Sequence, residues 1–583
     1  MSVRTQVVAG ALCAAVVAAL GAGPAVAAPA AGGDRTSARE ARRVDRVATP
    51  VLRWRACDEP GLAGLECASM AVPLDYDAPA GPTTTLAVSR LRATDQAGRI
   101  GSLVLNNGGP GGAARSMPLW GEYFGAQVRR RFDLVGLDPR GIGGSDQVRC
   151  FASTAAQQEA ARGVDFVVPQ RRAQYRAAAA YAAALGRACT GTTSGRAVGA
   201  AMSSAQVARD IEVLRRALGD PKLNYFGLSY GSVLGQHYAA MFPDRLRALV
   251  VDGVLDARDW RGDRGRGGLP TFVRTGSAAA MVAALDALFD RCRAAGPAAC
   301  PLVARGNPAA VYAAAGARLH RRPAAVPIGG GAPFLLTDDA FALLAGDGLY
   351  GARGEVDLVA TFVRDVSVLA DPASDAAARA AAQAGVRGYL TGGGSEAAPA
   401  ADEYDNGREA QMTVVCLDGR HAGDVREWWG PFAEAGRTGG HIGRFWASVD
   451  QPCATGTWPA RDEDRYTGGF DRHTAAPVLV VGNRWDPVTP LAAARAVARL
   501  LPRGRLVASE SWGHTAYGWV PCVAGVVDRY LVEGDAPRET ACRGRQPFPP
   551  AGAARQAPAA PRWAPLLPRW PAAAPAAVAP RHS

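Results

Sequence analysis

The stretch Asn224-Tyr225-Phe226-Gly227-Leu228-Ser229-Tyr230-Gly231-Ser232 constrains this chain more than any other. It reads as a short apolar strand running into a sharp turn that carries one serine between two glycines, the G-x-S-x-G pattern of a nucleophile elbow. A serine there occupies a strained backbone conformation, and the residues two before and two after it must be small to avoid clashing. Gly227 and Gly231 meet that need. The surroundings agree: Leu223–Phe226 is the strand, Val233–Phe242 suits a helix stopped by Pro243, and Leu246–Val251 is a second strand. Ser229 is thereby expected at the carboxyl end of a strand in a βαβ unit, the edge where open parallel sheets bind ligands.

Further strand-like runs, Leu86–Leu91, Ser102–Leu105, Phe132–Leu137, Pro477–Val481 and Arg505–Ala508, are mostly separated by helical or longer segments, which predicts an α/β fold with a mostly parallel sheet. Between about Arg258 and Gly469 the pattern changes to alanine-rich helical stretches such as Ser277–Ala294 and Ser374–Ala384, read as a mostly helical cap inserted between two strands of the core. The chain is thus divided into a core in two parts, 51–257 and 470–544, and a cap region, 258–469. A chain of 583 residues is long enough for such an arrangement.

The ends differ from this body. Residues 1–27 carry Arg4, an apolar run from Val7 to Leu20 and small residues ending in Ala25-Val26-Ala27, the pattern of a secretory signal peptide. Residues 28–50 are polar and basic, either a pro-segment or a flexible leader. The tail 545–583 is rich in Pro, Ala and Arg and is expected to be disordered, with cell-wall association as the alternative use. No later segment is apolar over the roughly 18 residues a membrane span needs, so no membrane insertion is expected after signal removal. Setting Cys13 aside leaves ten cysteines, an even number that in an exported chain implies disulfides, with sequential pairing as the expectation. No C-x-x-C occurs and no histidine is spaced with the cysteines as a zinc ligand, so no metal is expected.

The net charge of +12 does not point to nucleic acid. Residues 31–50 contribute +2, the tail +5 and Arg4 +1, which leaves about +4 for the folded body. Lys222 is the only lysine, and abundant Ala, Gly and Pro point to a coding bias rather than selection for a polyanion.

A serine hydroxyl is a weak nucleophile at neutral pH and needs a histidine base, itself oriented by a carboxylate. Of the seven histidines, His237 lies on the helix leaving the elbow, His320, His421 and His441 fall in the cap region, and His582 in the tail. His473 and His514 remain. His514, in a loop after the strand ending near Ala508, stands where a loop-borne base belongs; His473 precedes the strand that leads to the best acid. That acid is Asp486, in Gly482-Asn483-Arg484-Trp485-Asp486-Pro487-Val488-Thr489-Pro490, and the order Ser229, Asp486, His514 is the one this motif calls for. Taken alone, Asp486 before Pro487 reads equally as a turn former.

Developing negative charge also needs donors, and Asn106-Asn107-Gly108-Gly109-Pro110-Gly111-Gly112 supplies a glycine-rich turn after an early strand. The expected oxyanion hole is the N–H of Gly109 with that of Tyr230. A phosphate cradle is the rival reading of such a turn, but it lacks the G-K-[ST] ending of a P-loop. Asp138-Pro139-Arg140-Gly141 is read as scaffold that buttresses this loop.

With these segments together, the chain resembles the secreted tripeptidyl aminopeptidases, relatives of the proline iminopeptidases in the α/β-hydrolase superfamily. The resemblance runs from about Leu52 to Cys542. It is carried by Asn107-Gly108-Gly109-Pro110-Gly111-Gly112, Asp138-Pro139-Arg140-Gly141, Gly227-Leu228-Ser229-Tyr230-Gly231, Asp252-Gly253-Val254, Cys416-Leu417-Asp418, Asp486-Pro487-Val488-Thr489 and Gly513-His514. Proline iminopeptidases have a histidine where Asn107 stands, so support of the oxyanion loop is expected to differ. The resemblance implies an α/β-hydrolase fold and a secreted serine exopeptidase that needs no cofactor and releases short peptides, tripeptides above all, from free N-termini. An aminopeptidase must recognise an ammonium group, which favours a carboxylate in or near the cap. Asp418 is the first candidate, then Glu403 and Asp402. Two other functions fit the sequence: a carboxylesterase or lipase with the same triad, and a non-catalytic binding protein, which the filled triad positions disfavour. Oligomeric state is not legible.

Overall fold

The computed structural model describes residues 33–164, 168–263, 265–329, 332–351, 356–392, 404–456, 458 and 464–549. The signal-peptide reading and nearly all of the tail lie outside these residues. Seven strands precede the cap: β1 (Arg55–Ala56), β2 (Glu66–Pro73), β3 (Thr83–Leu91), β4 (Gly101–Asn106), β5 (Phe132–Leu137), β6 (Leu223–Leu228) and β7 (Leu246–Asp252). The cap contains β8 (Ala324–Val326) and β9 (Phe334–Leu336), and β10 (Val478–Trp485), β11 (Gly504–Trp512) and β12 (Glu539–Arg543) follow it.

Ten of these strands form one sheet in the order β1-β2-β3-β5-β4-β6-β7-β10-β11-β12. β1, β2 and β3 pair antiparallel, β3 meets β5 antiparallel, and every pair from β5 to β12 is parallel. In β4, β5 and β6 every residue is buried, because helices cover both faces of the parallel part. That explains why these strands are continuous apolar runs in the sequence rather than alternating ones. Each run expected to be a strand is one; β2 and β12, which alternate buried and exposed residues, were not anticipated.

The cap is mostly helical, with β8 and β9 forming a small antiparallel pair of their own. It also draws on residues before β6: Tyr175, on the helix Arg172–Gly191, packs its ring 5.0 Å from Trp429 and 5.7 Å from Phe432 on the helix Val425–Ser448. Five disulfides link neighbouring cysteines in sequence order: Cys57–Cys67, Cys150–Cys189, Cys292–Cys300, Cys416–Cys453 and Cys522–Cys542. Among the described residues no helix is long and apolar enough to cross a membrane.

The segment read as a flexible leader or pro-segment is docked on the body from Gly33 onward. Ser37 caps the helix Ala38–Asp45, Val44 is fully buried, and the buried carboxylate of Glu40 accepts from Arg209 at 2.8 and 3.0 Å. Arg43 reaches Asp77 at 2.6 Å and also pairs with Asp464. Arg43, which reads as solvated charge in the sequence, is satisfied by acids far from it along the chain, a pattern no local reading can show.

Candidate active site

Ser229 follows the last residue of β6 and precedes the helix Gly231–Met241. Its φ is +56°, a left-handed value rarely adopted by a residue with a side chain, and such conformations cost about 1–3 kcal/mol each. Two hydrogen bonds hold it there: its N–H donates to the Asp252 carbonyl at 2.9 Å, and its carbonyl accepts from the Ser232 N–H at 2.8 Å. The flanking glycines are required by close approach. A Cβ on Gly227 would stand 2.4 Å from the Gly231 carbonyl oxygen, and one on Gly231 would stand 2.8 Å from Asn106 Oδ1.

The glycine-rich loop after β4 passes directly over this turn. A Cβ on Gly108 would lie 2.9 Å from Ser229 Cβ and 3.0 Å from the Tyr230 nitrogen. Asn106 Oδ1 accepts the Gly108 N–H at 3.0 Å, whereas no hydrogen bond among the described residues uses the N–H of Gly109 or of Tyr230. Asn107 supports the loop by donating from Nδ2 to the Ala113 carbonyl at 2.8 Å. Asp138 buttresses the loop's far end, accepting the N–H groups of Ala114 (2.7 Å), Arg115 (3.0 Å) and Gly144 (2.9 Å). Arg140 lies deeper, fully buried, with a two-pronged contact to Asp210 at 2.8 and 2.6 Å.

Asp486 and His514 come together at the same sheet edge, at the ends of the neighbouring strands β10 and β11. The His514 Nδ1 lies 2.9 Å from Asp486 Oδ2 and 3.1 Å from Oδ1. Burial alone would raise the Asp486 carboxyl, but the charge and hydrogen bond of His514 and the N–H and hydroxyl of Thr489 outweigh it, and the group is held below the ordinary carboxylate range. Thr489 donates from Oγ1 at 2.7 Å and from its N–H at 2.8 Å, and Val488 adds an N–H at 2.9 Å. The turn-forming reading of Asp-Pro is therefore also correct, since the carboxylate that meets His514 closes its own turn.

Several supporting residues were not singled out for a role from sequence. Asn483 Nδ2 donates to the carbonyls of Gly513 (3.0 Å) and Thr515 (2.6 Å), which clamps the histidine loop from both sides. Asp252 Oδ2 accepts from Ala516 and Tyr517 N–H; burial pushes this carboxyl up to about 6 against the pull of those two donors. The His514 N–H donates to the Tyr350 carbonyl at 3.1 Å, and the two rings meet edge to face with centroids 5.6 Å apart. The available signal for Asp252 and Asn483 was a polar residue inside or ending an apolar strand; Tyr350, in the cap, gave none.

His473 lies at the opposite edge of the sheet, before β10, where its N–H donates to Asp34 at 2.9 Å. Asp418 is buried and accepts from Ser204 N–H (2.7 Å), Ser204 Oγ (2.5 Å) and Trp260 Nε1 (2.9 Å). Ser204 Oγ is in turn 2.6 Å from the Tyr230 hydroxyl, so Asp418 supports the residue after Ser229 from beneath. Glu403 and Asp402 lie outside the described residues.

The family model for the alpha/beta hydrolase fold matches residues 101–269, which include the glycine-rich loop and Ser229, and the model for TAP-like protein matches residues 439–542, which include Asp486 and His514. A tripeptidyl aminopeptidase of Streptomyces lividans is 29% identical over 537 residues, covering 86% of this chain and 88% of its own. The chain has an α/β-hydrolase fold and is similar along most of its length to the tripeptidyl aminopeptidases. This serine hydrolase is also 36% identical over 224 residues to the serine protease Hip1 of Mycobacterium bovis, covering 36% of this chain and 42% of that one. Over 218 residues it is 32% identical to a carboxylesterase B of Mycobacterium tuberculosis, covering 36% and 41% of the two chains.

Proposed function

We propose that this hydrolase is an exported serine exopeptidase that releases tripeptides from free N-termini, with Ser229, His514 and Asp486 as its catalytic triad. The observation that carries the reading is the buried His514–Asp486 pair, 2.9 Å apart, at the same sheet edge as a serine on a left-handed turn. Ser229 Oγ attacks the scissile carbonyl while His514 Nε2 takes its proton, and Asp486 holds Nδ1–H and stabilises the imidazolium. The N–H groups of Gly109 and Tyr230 take the oxyanion. Collapse of the tetrahedral intermediate expels the amine, which leaves with the proton from His514. Water, deprotonated by His514, then attacks the acyl-enzyme and restores Ser229. Export is supported by the five disulfides and by the apolar N-terminal stretch of the sequence.

The match to a carboxylesterase favours one second reading, an ester substrate for the same triad. The two are separated by assaying mature protein on free and N-acetylated tripeptidyl p-nitroanilides and on short p-nitrophenyl esters. Turnover of the free-amine peptides with little of the blocked ones is expected. Turnover of esters alone would sink the exopeptidase.

A further inference from the structure

Three cap helices, Pro308–Arg321, Asp338–Asp347 and Val425–Ser448, enclose a cavity of about 390 Å³, a size that suits a small molecule. Neither Ser229 nor Asp486 nor His514 lines it. Part of its wall is apolar: the rings of Tyr312 and Phe341, with centroids 5.0 Å apart, and Ala342 beside them. Gly316 lines it from the helix Pro308–Arg321, and a Cβ there would meet nothing within 4 Å, so the helix leaves this space open where a side chain would enter it.

The rest of the lining is polar. His320 Nδ1 donates to Asp338 Oδ2 at 2.8 Å, and His441 Nε2 donates to the same oxygen at 3.0 Å. Burial alone would raise the Asp338 carboxyl, but the two imidazoles outweigh it and hold the group below the ordinary carboxylate range. The negative charge of the cavity is thus already engaged from two helices. Arg321, which also lines it, is exposed and among the described residues pairs with no carboxylate. A ligand with an apolar body and one carboxylate matches both parts of the lining, because a guanidinium holds a carboxylate by two parallel N–H groups.

The same cavity is joined to the active site by a helix. Asp338–Asp347 runs directly into the 3-10 turn Gly348–Tyr350. Tyr350 accepts the His514 N–H on its carbonyl at 3.1 Å and meets the imidazole edge to face at 5.6 Å. One element therefore begins at the cavity and ends against His514, and a shift of its first turn loosens the contact at its last residue. We propose that this cavity is a regulatory site for a small apolar carboxylate, which on binding displaces the helix Asp338–Asp347 and lowers turnover. Hydrolysis of an acyl-enzyme releases a carboxylate whether the substrate was a peptide or an ester. The site is thereby matched to the enzyme's own class of product, and the inference does not depend on which substrate is the right one.

The test titrates N-acetylphenylalanine, with its uncharged amide as control, into fluorophosphonate-treated protein, in which Ser229 is blocked, and reads binding by calorimetry. Saturable binding of the carboxylate at a single site and none of the amide is expected. Gly316→Leu, which fills the cavity, should abolish it. Arg321→Gln, at an exposed position that puts folding at no risk, should weaken it about 10-fold, as loss of one charge-assisted contact would. In untreated enzyme the same compound should lower kcat and leave KM little changed. Absence of binding, wild-type affinity in either variant, or equal binding of the amide would overturn the site. A raised KM with unchanged kcat would put the carboxylate at Ser229 instead and overturn the coupling.

Discussion

Asp252 holds Ser229 by its main chain and the histidine loop by its side chain: its carbonyl accepts the Ser229 N–H at 2.9 Å, and its Oδ2 accepts the N–H groups of Ala516 and Tyr517 at 2.9 and 2.7 Å. The turn carrying Ser229 and the loop carrying His514 come from distant parts of the sequence, and one residue at the end of β7 bonds to both. Asp252→Ala would strand two buried N–H groups, which costs about 2–4 kcal/mol. We expect a lower Tm and a kcat reduced more than tenfold with KM little changed. Asp252→Asn, whose amide oxygen still accepts, should recover much of both. Wild-type kcat in Asp252→Ala, measured per titrated serine, would refute the role.

Asp486→Asn tests the orientation of the base. The amide can donate as well as accept, so it permits the wrong tautomer of His514, and a loss of about 10⁴ in kcat is expected for such a change. Ser229→Ala should abolish fluorophosphonate labelling altogether. Labelling that persisted in that variant would mean that another residue is the nucleophile.

Gly108→Ala tests the close approach of the glycine-rich loop. Its φ of +95° is costly for alanine, and the new Cβ would stand 2.5 Å from the Leu228 carbonyl oxygen and 2.9 Å from Ser229 Cβ. The loop would have to lift away from the serine, taking the Gly109 N–H with it. Activity should fall more than 100-fold, more through kcat than KM, because an oxyanion donor acts on the transition state. Crystals of the variant showing an unmoved loop and full activity would contradict this account.

The central strands and the residues at their ends were legible because each belongs to a local pattern: an apolar run, then a turn with small or polar residues. Ser229, Asp486 and His514 stand out as candidates on that ground, and the sheet register brings the last two within hydrogen-bond distance. What stayed hidden depends on contacts distant in sequence. Glu40 and Arg43 look like surface charge until Arg209 and Asp464 are seen beside them.

His237 predicts an acid limit to stability. It is buried on the helix that follows Ser229, with Nδ1 2.8 Å from the Val233 carbonyl and its ring edge-on to Phe470 at 5.0 Å. Burial lowers its pKa from 6.5 to about 4, and the nearby charges of Arg261 and Arg209 add to that against the pull of the Val233 carbonyl. The folded state therefore binds this proton more weakly than the unfolded state does. The contribution of neutral His237 is complete above pH 6.5 and is lost as pH falls toward 4, amounting to about 3 kcal/mol over that window. His237→Phe should flatten the decline in stability between pH 6.5 and 4 by about one proton. Urea unfolding at several pH values measures it, and an unchanged slope in the variant would show that His237 is not the group that titrates.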